Sequence, residues 1–318
     1  MQRTSFNFTR SLLLIALVAL FVQASVPDVH AQRRKRGAAA SAAPTKSLTV
    51  RTEAEAIVWL DEVRRGQTDA TGRLTLSNVT AGHHTLRVRA SGFKEATVQL
   101  QPTRRGEIVV KLVRTTDEAE LAFQQAESAR EKARDDEARK AAAALYRRAL
   151  ELRPRFAAAH VGLARVLLDL NDYKGALEQI DEARDVRPVY PEASAVEGRI
   201  LREDADTDGA ILAFERALRE AHGFQPEAHT GLALTLEDKG RNEEAVAEFR
   251  KAIAQLSDTE PVLYQLLGAL YEKMEKYKEA VAAYEKFLEL APESNLAPAV
   301  RSVLDQLRRQ AAEQEGQG

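Results

Sequence analysis

KAAAALYRRALELRP, at residues 140–154, contains a pattern of small and aromatic side chains that returns four times farther along the chain. Its small residue recurs at spacings of 34, 34, 35 and 35 residues, as Ala142, Ala176, Ala210, Ala245 and Ala280. A larger residue follows four places later in every copy: Tyr146, Ile180, Phe214, Phe249 and Tyr284. A period of about 34 residues with this content predicts a solenoid of helix pairs.

The spacing within each copy explains why helices should pack there. Steps of four and three residues place Ala210, Phe214 and Ala217 on one stripe of a helix. Small residues let two helices approach closely, and the aromatic ring then fills the gap between successive units. Prolines at 154, 188 and 292 end three of the units, because proline lacks the amide donor and clashes with the preceding turn.

The first helix of each unit carries a second pattern, Leu163-Ala164, Leu232-Ala233 and Leu267-Gly268, with Tyr271 three residues after the last pair. With these pairs and the small and aromatic columns, the stretch resembles a tetratricopeptide repeat array. The resemblance implies about five repeats over residues 115–294. Residues 295–318 would form a capping helix and tail that cover the last open interface.

Residues 47–114 change to a period of two, which predicts short strands. The alternating pairs are Leu48/Val50, Ile57/Trp59, Leu74/Leu76, Leu86/Val88, Val98/Leu100 and Ile108/Val110. Glycine-containing turn signals separate them, so the segment predicts a small β-sandwich with Trp59 in its core. The expected fold class is therefore α+β multidomain, with a small all-β sandwich followed by an all-α solenoid.

The order of motifs in this segment runs from Val58-Trp59-Leu60 through Gly82-His83-His84 to Ser91-Gly92-Phe93. It resembles both the PEGA domain and the carboxypeptidase-regulatory-like domain, which share a sandwich topology and are not separated by the sequence. Both families imply a non-catalytic module of an exported or envelope protein. Because neighbouring strand residues point to opposite faces, His83 and His84 do not predict a metal site.

Residues 1–31 predict a secretory signal peptide. Two arginines precede the apolar run at residues 11–22, and cleavage is expected after Ala31 or, as the second choice, after Ala24. The run of 12 residues is shorter than the roughly 17 that a membrane-spanning helix needs, so no span is expected after cleavage. An uncleaved anchor is the alternative. Export to the bacterial periplasm or cell envelope follows from the signal.

Residues 32–46 predict a linker that begins with the basic cluster Arg33-Arg34-Lys35-Arg36. The cluster is either a solvated linker or an electrostatic arm for an anionic envelope polymer. Residues 32–114 contain 16 Lys/Arg against 7 Asp/Glu, whereas residues 115–318 contain 28 against 40. Opposite net charges of +9 and −12 favour two separate modules. The chain has no cysteine, so disulfides and thiolate metal sites are excluded.

No catalytic motif is present: there is no Gly-x-Ser-x-Gly elbow, His-Glu-x-x-His pair, phosphate loop or dinucleotide turn. We therefore expect no enzyme activity, no cofactor and no nucleic-acid partner. One segment matches a calcium loop, with Asp204, Asp206, Asp208 and Glu215 as its ligands. The repeat pattern instead places Ala210 in a helix, and one backbone cannot satisfy both.

The resemblance to tetratricopeptide repeats implies a ligand groove lined by the first helix of each unit. The corresponding side chains here are Val161, Arg165, Arg199, Arg202, Leu234, Glu237 and Gln265. The three arginines predict a partner with an acidic segment, because guanidinium groups pair with carboxylates. Their replacement should then weaken binding without lowering the melting temperature. Alternatively, these arginines are solvated or paired with Glu203 or Asp169.

These features together predict an exported bacterial scaffold that binds a protein or peptide partner in its helical groove. A second hypothesis is an assembly factor that attaches to the cell wall through the β-sandwich, with the repeats as a spacer. An accessory subunit of a hydrolase is a third.

Overall fold

A computed structural model describes residues 46–61, 63–79, 82–222, 225–256 and 260–317. The predicted signal peptide and all but the last residue of the predicted linker lie outside them. The strands are β1 Lys46–Arg51, β2 Ile57–Leu60, β3 Val63–Gln67, β4 Arg73–Val79, β5 His84–Arg89, β6 Ala96–Leu100 and β7 Gly106–Val109. The helices are α1 Glu118–Lys132, α2 Asp136–Leu152, α3 Ala157–Asp169, α4 Tyr173–Val186, α5 Pro191–Glu203, α6 Thr207–Glu220, α7 Pro226–Asp238, α8 Asn242–Leu256, α9 Val262–Lys273, α10 Tyr277–Leu290 and α11 Ala297–Gln317.

The seven strands form two sheets, ordered β4-β1-β7 and β3-β2-β5-β6. Strand β1 runs antiparallel to β4 and parallel to β7, and every neighbouring pair in the four-stranded sheet is antiparallel. Leu48 and Val50 of β1 share one core with Leu86 and Val88 of β5. Alternate residues of each strand therefore fill the space between the sheets, and the predicted sandwich is confirmed.

The prediction that Trp59 lies in the sandwich core is wrong. Val58 and Leu60 are buried in the core, whereas Ile57 and Trp59 lie on the outer face of the four-stranded sheet. All four residues of β2 are apolar, so alternation alone does not select the face that is buried. Buried Ala56, two places before Val58, continues the inward-facing series.

Gly72 fixes the turn between β3 and β4. Its φ is +75°, and a Cβ there would lie 2.0 Å from the carbonyl oxygen of Thr52. The Thr52 amide donates a 2.8 Å hydrogen bond to the Gly72 carbonyl, so the two backbone segments are in direct contact. Only glycine combines this backbone angle with so close an approach.

The helices pair as α1/α2, α3/α4, α5/α6, α7/α8 and α9/α10. All five members of the predicted large-residue column are 4 % exposed or less. The Phe214 ring packs between neighbouring units, because Gly198 of α5 and Gly231 of α7 both leave space for it. The predicted solenoid of helix pairs is thus confirmed.

Helix α11 buries Val300, Leu304 and Leu307 in the core that it shares with α9 and α10. It therefore covers apolar surface of the last helix pair. Within the described residues, none of the helices combines the length and the apolar character needed to cross a membrane.

Candidate functional site

A groove of about 1430 Å³ runs along the first helices of the units, α1, α3, α5, α7 and α9. Its wall also includes side chains from the outer face of the sheet that contains β2 and β5. Both modules of the chain therefore contribute to one surface. Its size exceeds that of a small-molecule pocket and suits a longer ligand.

On the sheet side, arginines cover the tryptophan that faces outward. Arg87 and Arg89 alternate along β5 with the core residues Leu86 and Val88. Their guanidinium carbons lie 4.4 Å and 5.3 Å from the centre of the Trp59 ring. Glu95 accepts a hydrogen bond of 2.9 Å from Arg89 Nε and one of 3.4 Å from Arg87 Nη1. The face is thus built from cation–π stacks whose two guanidinium groups share the Glu95 carboxylate.

Helix α1 attaches the helical array to the sandwich. Gln124 accepts a 2.9 Å hydrogen bond from the Gly92 amide and donates one of 2.8 Å to the Phe93 carbonyl. Arg64 of β3 donates a 2.9 Å bond to Glu131. The two modules are therefore joined by directional contacts as well as by the chain itself.

Beside these contacts, the Glu127 carboxylate interacts with three side chains. Arg89 lies 3.4 Å away, Arg130 lies 3.7 Å away, and the Tyr146 hydroxyl donates a short hydrogen bond. Burial opposes ionisation of Glu127, but the charges of Arg130 and Arg89 outweigh it and lower its pKa. Burial and the neighbouring Glu127 raise the pKa of Tyr146, so its hydroxyl remains a donor.

In the middle of the groove, Arg165 of α3 donates two hydrogen bonds of 2.9 Å to Glu227 of α7. It also lies 3.4 Å from Glu192, and Arg199 lies 3.4 Å from Glu227. Burial alone would raise the pKa of the Glu227 carboxyl, but Arg165 and Arg199 lower it to about 2. These groups form an ionised network inside the chain.

Family models agree with this architecture. A model of the PEGA domain matches residues 45–116, and models of the tetratricopeptide repeat match residues 133–200, 195–261 and 262–294. The chain is a tetratricopeptide repeat protein with an N-terminal PEGA domain. Of the two sandwich families that the motif order resembles, the PEGA domain is supported by a family model. No curated protein is similar enough to the sequence to count as a match.

Solved tetratricopeptide repeat structures share the fold. TTC0263 of Thermus thermophilus is 22% identical, with 59% of this chain and 98% of that chain covered and a TM-score of 0.50. PilF of Pseudomonas aeruginosa is 20% identical over 62% and 89%, with a TM-score of 0.51. PilW, a type IV pilus biogenesis factor, is 17% identical over 64% and 93%, with a TM-score of 0.52. At these identities the likeness concerns the fold.

The three arginines predicted for the tetratricopeptide repeat groove do line it, but all three are paired within the chain. Arg165 and Arg199 bind Glu227, and Arg202 donates 2.9 Å and 3.1 Å bonds to Asp238 and Glu203. Of the two alternative carboxylates, Glu203 is thus a partner of Arg202, whereas Arg165 is paired with carboxylates of α5 and α7. Each of the three arginines thus has a carboxylate partner within the chain, and their role in binding an acidic segment stays a prediction.

Of the other predicted lining residues, some line the groove and some do not. Leu234 lines the groove beside Thr230, as the family pattern implies. Val161 does not, because it is 1 % exposed and belongs to the core of the first units. Glu237 lies 3.3 Å from Lys273, and neither Glu237 nor Gln265 is among the described residues that line the groove. The helix positions implied by the family therefore carry over only in part.

The segment that matches a calcium loop is helical from Thr207 onward. Asp206 caps α6 by accepting a 2.9 Å hydrogen bond from the Gly209 amide, as Asp172 does for Gly175 in α4. Asp208 pairs with Lys239 instead. The backbone follows the repeat pattern, and within the described part of the chain no three His, Asp or Glu side chains form a group that could hold a metal ion.

The histidines of the repeats link paired helices. His160 Nδ1 lies 2.9 Å from Gln179, and His229 Nδ1 lies 2.6 Å from Glu248, in each case 19 residues later in the chain. In the PEGA domain, His84 is buried 2.6 Å from Asp61, whereas adjacent His83 is more accessible. All three buried imidazoles thus have hydrogen-bonding roles within the fold.

Sequence reasoning missed the aromatic residues of the groove and the arginines stacked on them. Trp59, Arg87 and Arg89 come from the PEGA domain, and Arg187 and Tyr190 come from the turn before α5. The sequence could have predicted that Arg87 and Arg89 face outward, because they occupy the positions of β5 that alternate with its core residues. The repeated Arg-Pro-x-aromatic sequence before α3 and α5 was another signal.

Proposed function

We propose that this protein is a non-catalytic interaction scaffold, exported to the bacterial cell envelope, whose groove binds a polypeptide segment of a protein partner. The observation that supports binding is the groove of about 1430 Å³ shared by the PEGA domain and the first helices of the repeats. Trp59 and Leu234 give it apolar surface beside polar side chains. Aromatic and aliphatic anchors with a polar surround are typical of protein interfaces.

Selection from a displayed library of random peptides would test the binding site. Selected peptides should bind the parent protein and lose at least tenfold in affinity in the groove variants Thr230→Arg and Leu234→Arg. A matched control is Leu212→Arg, because Leu212 is 64 % exposed on α6 and is not among the residues that line the groove. Peptides that bind all three variants as they bind the parent would contradict a groove site.

Export is supported by the sequence of residues 1–31. Mass spectrometry of the protein from envelope fractions of the producing cells should give an N-terminus after Ala31 or Ala24. A protein confined to the cytosol and still beginning at Met1 would contradict export, without affecting the proposal for the groove.

Attachment to an anionic wall polymer through the PEGA side is the second candidate, favoured by the net charge of +9 over residues 32–114. Co-sedimentation with purified cell-wall sacculi at rising salt would test it. Strong retention that the groove variants leave unchanged would favour this candidate over peptide binding.

A further inference from the structure

Two neighbouring repeats end in the same local motif. Arg153-Pro154-Arg155-Phe156 and Arg187-Pro188-Val189-Tyr190 lie 34 residues apart and follow α2 and α4. In both, the aromatic residue is the N-cap of the next helix, and the guanidinium lies over its ring. The distance to the ring centre is 4.5 Å for Arg153 and 4.4 Å for Arg187.

The two arginines differ in what they bind. Arg153 forms a short ion pair with Asp117, which is the N-cap of α1, the first helix of its own unit. In the next unit, the N-cap of the first helix is Phe156, which offers no carboxylate. Among the residues that the structure describes, Arg187 has no ion-pair partner.

The ring beneath Arg187 is firmly held. Tyr190 is buried, and its hydroxyl lies 3.3 Å from Glu192, which also contacts Arg165. Burial and Glu192 raise the pKa of the Tyr190 hydroxyl, so the ring remains neutral. A guanidinium stacked on a fixed ring keeps the donors along its edge free, and two of them match the oxygens of a carboxylate. Stacking also reduces the conformational entropy lost when such a ligand binds.

The other arginines that line the groove already bind carboxylates of the chain. On the sheet side and α1 the pairs are Arg64–Glu131, Arg87–Glu95, Arg89–Glu95 and Arg130–Glu127. In the repeats they are Arg165–Glu227, Arg199–Glu227 and Arg202–Asp238. A ligand carboxylate would have to displace an internal partner at any of these positions, but not at Arg187.

We propose that Arg187 is a carboxylate-binding residue of the groove and takes an aspartate or glutamate side chain of the protein partner. The inference rests on the proposed peptide-binding function. It assigns the preference for an acidic side chain to Arg187, which is not one of the groove residues predicted from the sequence. It predicts that one acidic position in a bound segment contributes strongly to affinity.

Two pools of fluorescein-labelled decapeptides would test this, identical except that one central position is Asp in one pool and Asn in the other. All peptides carry an amidated C-terminus and the same label, so the two pools differ only in the side-chain carboxylate at the central position. Fluorescence anisotropy should give at least fivefold tighter binding of the Asp pool by the parent protein, and the difference should shrink at high salt. Arg187→Gln should abolish the difference, and Arg187→Glu should instead favour a third pool with Lys at that position.

The matched control is Arg153→Gln, which removes the stacked arginine that already has Asp117 as its partner. It should keep the preference for Asp, and thermal melts confirm that each variant is folded. A preference for Asp that survives Arg187→Gln would overturn the inference. If the parent binds both pools equally and Leu234→Arg abolishes that binding, the inference fails while the proposed function stands. If neither the pools nor the displayed library bind, both fail.

Discussion

Arg165 and Glu227 face each other across the groove and join two repeats that are not neighbours in the array. Their two hydrogen bonds of 2.9 Å connect α3 to α7, with one helix pair between them in the chain. The side chain of Arg165 is 16 % exposed and that of Glu227 is 31 % exposed. A bidentate pair in this partly buried place fixes the distance between the two helices, so Arg165 has a structural role in the groove.

Removal of this pair should lower stability, contrary to the expectation from sequence that the groove arginines are dispensable for folding. Among the residues that the structure describes, Arg165→Ala leaves Glu227 with the 3.4 Å contact to Arg199 as its ion pair. We expect a loss of about 1–3 kcal/mol in the free energy of unfolding, measured by urea titration. Lys174→Ala is the control, because Lys174 is 90 % exposed and 3.8 Å from Glu178, and it should cost less than about 0.5 kcal/mol. Equal effects would show that the pair has no special role.

Acid should remove the contribution of Glu227 within a defined pH range. Its pKa is about 2 in the folded chain and 4.5 ordinarily, so the folded state favours the ionised carboxylate. The stabilisation is present above about pH 4.5 and is lost as the pH falls through 2. The difference in unfolding free energy between the parent and Glu227→Gln should therefore shrink across that range. A difference that stays constant from pH 6 to pH 2 would contradict the lowered pKa.

The helical array was predictable because its period constrains many residues at once. Each of five units has alanine and a large side chain at the same two positions, so variation at another position, such as Phe287 in place of alanine, does not hide the pattern. The inward face of β2 was not predictable in the same way. Its sequence, Ile57-Val58-Trp59-Leu60, is apolar throughout, and the core residues that bury Val58 lie elsewhere in the chain.

The close approach of helices around Phe214 makes Gly231 difficult to replace, and Gly316 provides a control. A Cβ at Gly231 would lie 2.2 Å from Phe214 Cζ, so Gly231→Ala should cost about 1–3 kcal/mol of stability. Phe214→Ala should cost about 3–5 kcal/mol by opening a cavity. In contrast, Gly316→Ala in α11 meets no atom within 4 Å and should be neutral or stabilising by up to about 1 kcal/mol. Chemical denaturation of the three variants would decide between these outcomes.

The contact between the PEGA domain and α1 can be tested at a single amide. Gln124 accepts the hydrogen bond of the Gly92 amide, so Gln124→Ala should speed hydrogen exchange at Gly92. Neighbouring Gln125 is exposed, and Gln125→Ala should leave that rate unchanged. Exchange followed by nuclear magnetic resonance gives both rates. If Gly92 stays equally protected in Gln124→Ala, the amide is shielded by something other than this side chain.

The charged partners in the groove could not be predicted from sequence, for a physical reason. Arg165 and Glu227 are 62 positions apart and meet because α3 and α7 both line the same groove. The family pattern identifies positions on the first helices, but the packing of those helices decides which of their side chains touch. Arg202 and Glu203, adjacent in sequence, are the pair that sequence reasoning could anticipate, and they are 3.1 Å apart.

Two carboxylates of the segment that matches a calcium loop should differ in their effect on stability. Asp206 caps α6 through the Gly209 amide, so Asp206→Ala should cost about 0.5–2 kcal/mol. Asp204, at the end of α5, is exposed and makes no side-chain hydrogen bond among the described residues, so Asp204→Ala should cost almost nothing. A calcium loop would need both side chains as ligands and would be stabilised by the ion, because an ion that binds only the folded state raises its stability. Urea titrations of the parent and both variants, with calcium and with chelator, separate the two cases. We expect the two variants to lose different amounts of unfolding free energy, and calcium should not change either loss. If both variants lost the same amount, and only when calcium is present, the segment would be a calcium loop.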